Sequence, residues 1–162
     1  SKNISEMNLM LNHYLDFIKN EKNENLDEIN TQYLVLDLTN NYSKISIIKN
    51  DIEKVLVRKN QISRAISNIL DNADKFAENI YVSSYVHVSK WIITIEDDGP
   101  GTTMSQEQLV KPFTKGSEQL NQGTGLGLSI VQKLIKLNNG ELKFDKSEYG
   151  GLKVVIALDI SN

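Results

Sequence analysis

The spacing of hydrophobic residues predicts helices and short strands along the whole chain. Residues 4–20 carry apolar side chains three and four positions apart in one narrow stripe, which predicts a helix that packs against a partner helix. A polar, loop-like stretch at residues 21–28 follows, and we place the domain boundary there. Residues 31–42 fit two interpretations, because some leucines alternate as in a strand while other apolar residues recur at helical spacing.

The remainder of the chain alternates between the two kinds of pattern. In the first half we predict strands at residues 45–48 and 52–57 with a turn at Asn50 and Asp51, then a long amphipathic helix at 60–77. In the second half we predict antiparallel strands at 80–88 and 91–96, joined at Ser89 and Lys90, and then a short helix at 104–110. A helix at 126–139 follows and is ended by Asn139 and Gly140. The last two predicted strands, at 141–145 and 152–160, are joined around Tyr149, Gly150 and Gly151.

Composition narrows the classes of function. The 162 residues suit one domain with a small appendage, and a first residue other than methionine suggests a fragment of a longer protein. The net charge of −3 argues against non-specific binding to nucleic acid. Without cysteine, and with only His13 and His87, the chain offers neither disulfides nor a thiolate or histidine-rich metal site.

Residues 123–129 form the most distinctive stretch, in which Gly123, Gly125 and Gly127 alternate with larger residues directly before a predicted helix. Glycines allow close backbone approach to a ligand, and the start of a helix offers unpaired N–H groups to an anion. The stretch therefore suits a polyphosphate, although it matches neither a P-loop nor a dinucleotide-binding turn. A flexible loop before an ordinary helix is the alternative.

Two further groups of residues point to the same chemistry. Asn68 and Asn72 lie one turn apart on the edge of the apolar face of the 60–77 helix, where an amide oxygen is suited to magnesium. Simple surface hydrogen bonding is the alternative for this pair. Asp97 ends a predicted strand directly before a turn with Gly99 and Gly101, so its carboxylate can accept a hydrogen bond in a cleft or belong to an ordinary turn.

Four stretches, taken in order, resemble the nucleotide-binding boxes of bacterial sensor histidine kinases. They are residues 64–73 (N box), 97–101 (G1 box), 111–113 (F box) and 123–129 (G2 box). Residues 26–162 are thus similar to an ATP-binding catalytic domain of the Bergerat (GHKL) type. The short lid and the sequence of the G1 box most resemble those of the osmosensor (EnvZ-like) branch. Residues 1–22 resemble the second helix of a dimerisation hairpin.

The resemblance implies a two-layer α/β sandwich, in which a mixed sheet carries helices on one face, and it favours a helix at residues 31–42. It implies ATP and Mg²⁺ as ligands, with Asn72 on the metal, Asn68 in support, and Asp97 on the adenine amino group. The remaining residues that it places around the nucleotide are Lys75, Phe76, Gly99, Gly101, Phe113, Lys115, Gly123, Thr124, Gly125, Leu126 and Gly127.

The resemblance also implies an activity and its partners. The γ-phosphoryl group of ATP would pass to a histidine on a hairpin helix absent from this chain, because His13 and His87 lack the adjacent acid and following proline of the family's acceptor motif. The expected partners are that helix, a response regulator and a second copy in a full-length homodimer, without nucleic acid. The setting would be the cytoplasmic side of an inner-membrane sensor, and residues 102–122 would be a lid that is mobile without nucleotide.

Two other functions remain open. An ATPase of the gyrase, Hsp90 or MutL type would carry a glutamate four residues before the metal-binding asparagine, but that position is Asn68, and an amide cannot take a proton from water. A non-catalytic interaction module would keep the fold alone, and a nucleotide titration distinguishes it.

Overall fold

The structure, a computed structural model, describes residues 24–111 and 127–160, together with Asn12. The predicted helix at residues 4–20, including His13, lies outside the described residues apart from Asn12. The elements are β1 (Asp27–Asn30), α1 (Thr31–Thr39), β2 (Ile45–Asn50), β3 (Lys54–Val57), α2 (Lys59–Phe76), β4 (Ile80–His87), β5 (Lys90–Asp97), α3 (Gln106–Leu109), α4 (Gly127–Leu137), β6 (Glu141–Lys146) and β7 (Leu152–Asp159).

The main sheet has five strands in the order β2-β4-β5-β7-β6. Strand β2 pairs with β4 in parallel and the other three pairs are antiparallel, so the sheet is mixed. Helices α2 and α4 supply their apolar stripes to one continuous core with the inner face of this sheet. The two-layer α/β sandwich implied by the resemblance is therefore confirmed.

The core is well filled where the helices meet the sheet. Leu70 of α2 and Leu134 of α4 are fully buried, as are Ile93 and Ile156 in the central strands. Burying one such side chain contributes about 1.5–3 kcal/mol. This packing, more than helix propensity, fixes the helices on the sheet and hence the positions of the side chains at their ends.

A polar cluster joins the start of α2 to the end of α4. Arg58, the residue before α2, offers no capping side chain, and the carboxylate of Glu24 instead accepts hydrogen bonds from the backbone N–H groups of Asn60 (2.8 Å) and Gln61 (3.0 Å). The side-chain amide of Asn138, directly after α4, donates to Oε1 of Gln61 (2.8 Å). The two helices thus run antiparallel, and the end of α2 lies beside the beginning of α4.

Several predicted elements are confirmed. Residues 31–42 resolve to a helix, α1, whose first turn is capped because Oδ1 of Asn30 accepts from the N–H of Tyr33 (3.1 Å). Helix α4 ends as expected: Asn139 takes a positive φ of 54°, and the N–H of Gly140 donates to the carbonyl of Ile135 (2.9 Å). The strands predicted at residues 141–145 and 152–160 form the β6–β7 hairpin.

Three expectations were wrong in detail. Residues 27–30 form strand β1, although the sequence around them is polar and loop-like, because β1 pairs with β3 in a separate two-stranded sheet. The turn predicted at Asn50 and Asp51 begins later, because β2 continues through Asn50 and pairs with β4 in the main sheet. The β4–β5 turn falls at Val88 and Ser89, one residue earlier than predicted, and both have a positive φ, 48° and 60°.

None of the helices in the described ranges, 24–111 and 127–160, is long and apolar enough to span a membrane.

Candidate functional site

A cleft of about 530 Å³, including its open mouth, lies between the end of α2, the end of β5, the start of α4 and the start of β7. Its walls are mainly apolar, as expected for a site that holds a planar base. The described residues that line it are Ile69, Asn72, Ala73, Phe76, Ile95, Asp97, Pro100, Gly101, Thr102, Leu128, Leu152 and Val154.

Asp97 is the only carboxylate among the described residues that line this cleft. It stands at the end of β5, and its Oδ1 atom accepts hydrogen bonds from the backbone N–H groups of Gly99 (2.9 Å) and Leu152 (3.2 Å). No described residue donates to its Oδ2 atom. The two amides therefore fix the carboxylate plane and leave one oxygen able to accept a hydrogen bond from a ligand.

The surroundings of Asp97 also shift the pKa of its carboxyl group. Burial raises the pKa of the carboxyl, the N–H groups of Gly99 and Leu152 lower it, and the neighbouring charge of Asp98 raises it, with a net increase above the ordinary value. A half-buried carboxylate with one free oxygen is a strong acceptor for a neutral N–H donor. An exocyclic amine on a base meets that requirement.

The adjacent carboxylate, Asp98, has a different task. Its Oδ1 accepts from the backbone N–H groups of Glu78 and Asn79 (both 2.9 Å), and its Oδ2 accepts from the side-chain amide of Asn79 (2.8 Å). The hydrogen bonds from Asn79 are the main reason that the pKa of Asp98 is lowered. Asp98 therefore ties the end of β5 to the loop after α2 and is not among the residues that line the cleft.

Two glycines make the geometry around Asp97 possible. Gly101 has a φ of 70°, which a larger residue adopts only with strain, and it lines the cleft at the start of the segment that leads to α3. A Cβ atom at Gly151 would overlap Oδ1 of Asp97 and lie 2.7 Å from the backbone nitrogen of Gly99. Only glycine at position 151 allows the β6–β7 hairpin to approach Asp97.

Asn72 lies where α2 meets α4, at the other end of the site from Asp97. It lies on α2 and lines the cleft, and both polar atoms of its side chain are 3.8 Å from the Cβ position of Gly127, the first residue of α4. Its side-chain amide makes no hydrogen bond within the described part of the chain. The end of α2 and the start of α4 therefore meet at the side-chain amide of Asn72, which lies beside the backbone N–H groups of the first turn of α4.

The other predicted site residues fall into three groups. Phe76 and Gly101 line the cleft, and Gly99 holds Asp97. Asn68 is half-buried one turn before Asn72, and Lys75 is exposed, and neither lines the cleft. The residues that lie outside the described ones are Phe113, Lys115, Gly123, Thr124, Gly125 and Leu126, and the roles expected for them stay predictions.

Sequence reasoning missed the contribution of the β6–β7 hairpin to the site. Gly150 and Gly151 predict only a turn, although the N–H groups of Gly151 and Leu152 both donate to Asp97. The pair of consecutive glycines was an available sign that a second segment approaches closely. The partner of that approach is 55 residues away along the chain for Leu152, and no local pattern identifies it.

Comparison with known proteins is consistent with this geometry. Residues 58–162 match the family model described as histidine kinase-, DNA gyrase B-, and HSP90-like ATPase. The sensor histidine kinase CpxA of Escherichia coli (strain K12) is 37% identical over 106 residues, which cover 62% of this chain and 23% of CpxA. The chain thus matches about a quarter of the length of that curated relative.

Solved structures agree on the fold. The NMR structure of the histidine kinase domain of the E. coli osmosensor EnvZ matches with a TM-score of 0.63 at 30% identity, covering 85% of this chain and 91% of that domain. The histidine kinase AdeS of Acinetobacter baumannii matches with a TM-score of 0.71 at 22% identity, covering 99% of this chain and 82% of AdeS. With its cleft, its sandwich fold and these matches, the chain belongs to the histidine kinase-, DNA gyrase B- and HSP90-like ATPase family, as an ATP-binding domain of the sensor histidine kinase type.

Proposed function

We propose that this chain binds ATP with Mg²⁺ and transfers the γ-phosphoryl group to a histidine on a helix that it does not itself supply. The observation that carries the proposal is the state of Asp97, which lines an apolar cleft: its Oδ1 is held by two backbone amides, while its Oδ2 has no partner in the described part of the chain. That oxygen suits the amino group of adenine, and guanine would present a carbonyl there.

The phosphates would extend from the base towards the meeting point of α2 and α4. There the first turn of α4 offers backbone N–H groups, and Asn72 offers a free amide oxygen. In the described ranges, no group of three or more histidine, cysteine, aspartate or glutamate residues is placed to hold a metal ion. The amide oxygen of Asn72 fits Mg²⁺, which is commonly held by few protein oxygens together with phosphate oxygens and water.

The roles of the residues follow from the needs of phosphoryl transfer, which depends on positioning and charge neutralisation more than on covalent help. Asn72 would hold the metal, Asn68 would support Asn72 or the phosphates, and Lys75 and Lys115 would contribute positive charge. When bound, Mg²⁺ would neutralise charge on the phosphates. Phe76 and the other apolar residues of the cleft would exclude water from the base and hold it against Asp97.

Transfer to a histidine is favoured over hydrolysis by the absence of a general base. The described residues lining the cleft include one carboxylate, Asp97, which is committed to the base end, and position 68 carries an amide. The position of His87 argues against it as an acceptor from the same molecule, because it pairs with Lys90 while Asp97 pairs with Ile80 at the opposite end of the hairpin. Seven residues of strand separate the two ends, roughly 23 Å.

The proposed setting is a homodimeric sensor protein of the inner membrane. This domain would lie on the cytoplasmic side, would phosphorylate the histidine of the dimerisation hairpin, and would supply phosphoryl groups for a response regulator. Residues 1–22 would form the second helix of that hairpin. The sensor histidine kinases that the chain resembles support these partners.

The test is incubation with γ-labelled ATP and Mg²⁺, with the chain alone and with the cognate polypeptide that carries the acceptor histidine. We expect label that is acid-labile and base-stable on the acceptor, and none on the chain alone. Acid-labile label on the chain alone that disappears in His13→Ala would overturn the choice of acceptor. Phosphate release at one rate with and without acceptor would indicate an ATPase, and no nucleotide binding would indicate an interaction module.

A further inference from the structure

The turn of the β6–β7 hairpin is attached to the main sheet at a point outside the cleft. The ring of Tyr149 in this turn stacks on the ring of Tyr81 in β4, with centroids 3.8 Å apart and planes 16° apart. Neither tyrosine lines the cleft, and Tyr149 keeps 38% of its surface exposed. A near-parallel aromatic stack of this kind adds a contact that links the turn to β4.

The turn itself is closed by a compact set of hydrogen bonds. Ser147 is buried, its N–H donates to the carbonyl of Gly151 (2.8 Å), and its carbonyl accepts from the N–H of Gly150 (3.0 Å). Its Oγ atom accepts from the N–H of Tyr149 (3.0 Å). These bonds connect Tyr149 to Gly151 and Leu152, so the stack helps to position these two residues together with the pairing of Leu152 with Lys146 in β6.

The other end of this unit holds Asp97. The N–H of Gly151 donates to the carbonyl oxygen of Asp97 (3.1 Å), and the N–H of Leu152 donates to its Oδ1 (3.2 Å). A shift of the turn away from Asp97 by a few tenths of an ångström would weaken both bonds, because N–H···O bonds tolerate little beyond about 3.2 Å. The carboxylate would then be held by the N–H of Gly99 alone, so its rotation about the Cβ–Cγ bond would be less restricted.

We propose that Tyr149 and Tyr81 are positioning residues for nucleotide selectivity. Their stack holds the hairpin turn, the turn holds Oδ1 of Asp97, and the fixed Oδ1 aims Oδ2 at the amino group of adenine. This inference rests on the proposed function, since it assigns a base-reading role to Asp97. The phosphate-binding half of the site, at Asn72 and α4, has no part in this chain of contacts.

The experiment measures the dissociation constants of ATP and GTP by calorimetry for the wild type and four variants. Tyr149→Ala removes the stack, Tyr149→Phe keeps it, Tyr81→Leu removes it from the other side, and Tyr33→Ala is the matched control, an exposed tyrosine on α1. We expect Tyr149→Ala and Tyr81→Leu to lower the preference for ATP over GTP by about three- to tenfold, the range expected for loss of one aromatic pair. Tyr149→Phe and Tyr33→Ala should keep the wild-type preference.

A second measurement follows the hydrogen bond directly. Amide hydrogen exchange at Leu152 should become faster in Tyr149→Ala, while amides in the middle of β4 keep their protection. An ATP preference in Tyr149→Ala and Tyr81→Leu within about 1.5-fold of wild type, or an equal loss in Tyr33→Ala, would overturn the positioning role. A wild type without preference for ATP would instead overturn the proposed function, so the two failures are distinguishable.

Discussion

Replacing Asp97 with asparagine gives the sharpest test of how the site recognises its base. The carbonyl oxygen of the new side-chain amide would have to take the position of Oδ1, because that position accepts hydrogen bonds from the N–H groups of Gly99 and Leu152. The side-chain NH₂ group would then occupy the position of Oδ2 in the cleft. The substitution would thus convert an acceptor facing the ligand into a donor, without changing the shape of the side chain.

The magnitude follows from the bond that is lost. A hydrogen bond to a charged group contributes about 1.5–3 kcal/mol, so Asp97→Asn should weaken ATP binding by about 10- to 150-fold. Guanine presents a carbonyl where adenine has its amino group, and the new NH₂ group can donate to it. We therefore expect GTP binding to stay equal or improve, so that the preference for ATP disappears or reverses.

The stability of the folded domain should move in the opposite direction from its affinity for ATP. The folded-state pKa of Asp97 is raised, so its ionised form is less favourable in the folded than in the unfolded chain at pH values above that pKa. This penalty is absent below the ordinary pKa and fully present at neutral pH. Asparagine carries no charge, and the variant should therefore melt at the same or a higher temperature at pH 7.

Calorimetric titration of ATP and GTP, together with thermal melts, measures all three effects. Asp98→Asn is the matched control. It removes the same charge at the neighbouring position, and the side chain of Asp98 does not line the cleft. It should keep the wild-type preference for ATP. If Asp97→Asn binds ATP within about twofold of wild type and still rejects GTP, the assignment of Asp97 as the base-reading residue is refuted.

Three further predictions concern other parts of the molecule. Asn72→Ala should lose most phosphotransfer in the labelling assay and keep its melting temperature, and full transfer would remove Asn72 from the site, while Asn72→Asp should disturb binding of magnesium with ATP. Val88→Asn should stabilise the fold by about 1 kcal/mol in urea titrations, because Val88 is exposed and has a φ of 48°, a region that asparagine tolerates. The lowered pKa of Asp98 implies stability that is present above the ordinary carboxyl pKa and lost as the pH falls through the folded-state pKa. Asp98→Asn should accordingly melt below wild type at pH 7, and the gap should narrow as the pH falls below the ordinary carboxyl pKa; a constant gap would contradict this account.

The parts of the candidate site that could be predicted from the sequence are those encoded locally. Helical periodicity brings Asn72 to the edge of a buried face, and strand alternation leads into Asp97 before a glycine turn, so both residues could be named in advance. Their convergence on one cleft came from the family resemblance, because no periodicity relates α2 to β5. The same resemblance was needed to assign α1 as a helix against the alternation of its leucines.

The parts that could not be predicted depend on partners far away in sequence. Strand β1 is short and carries Asp27 and Glu28, and it becomes a strand only because β3 pairs with it. The separation of β2 and β3 into different sheets likewise reflects the pairing of β2 with β4. The glycines at the β6–β7 turn indicate a simple hairpin, since the contact of Gly151 with Asp97 leaves no trace in the neighbouring residues.

The hydrogen bond from Leu152 to Asp97 has a consequence for folding. It joins residues 55 positions apart, and Asn72 reaches Gly127 over a similar separation, so the complete site forms only after most of the chain has assembled. A nucleotide would therefore bind the native state and have little affinity for partly folded chains. By mass action, ATP at a hundred times its dissociation constant would add about 2.7 kcal/mol to the free energy of unfolding. The ATP present in the cell would then stabilise the folded state of this domain.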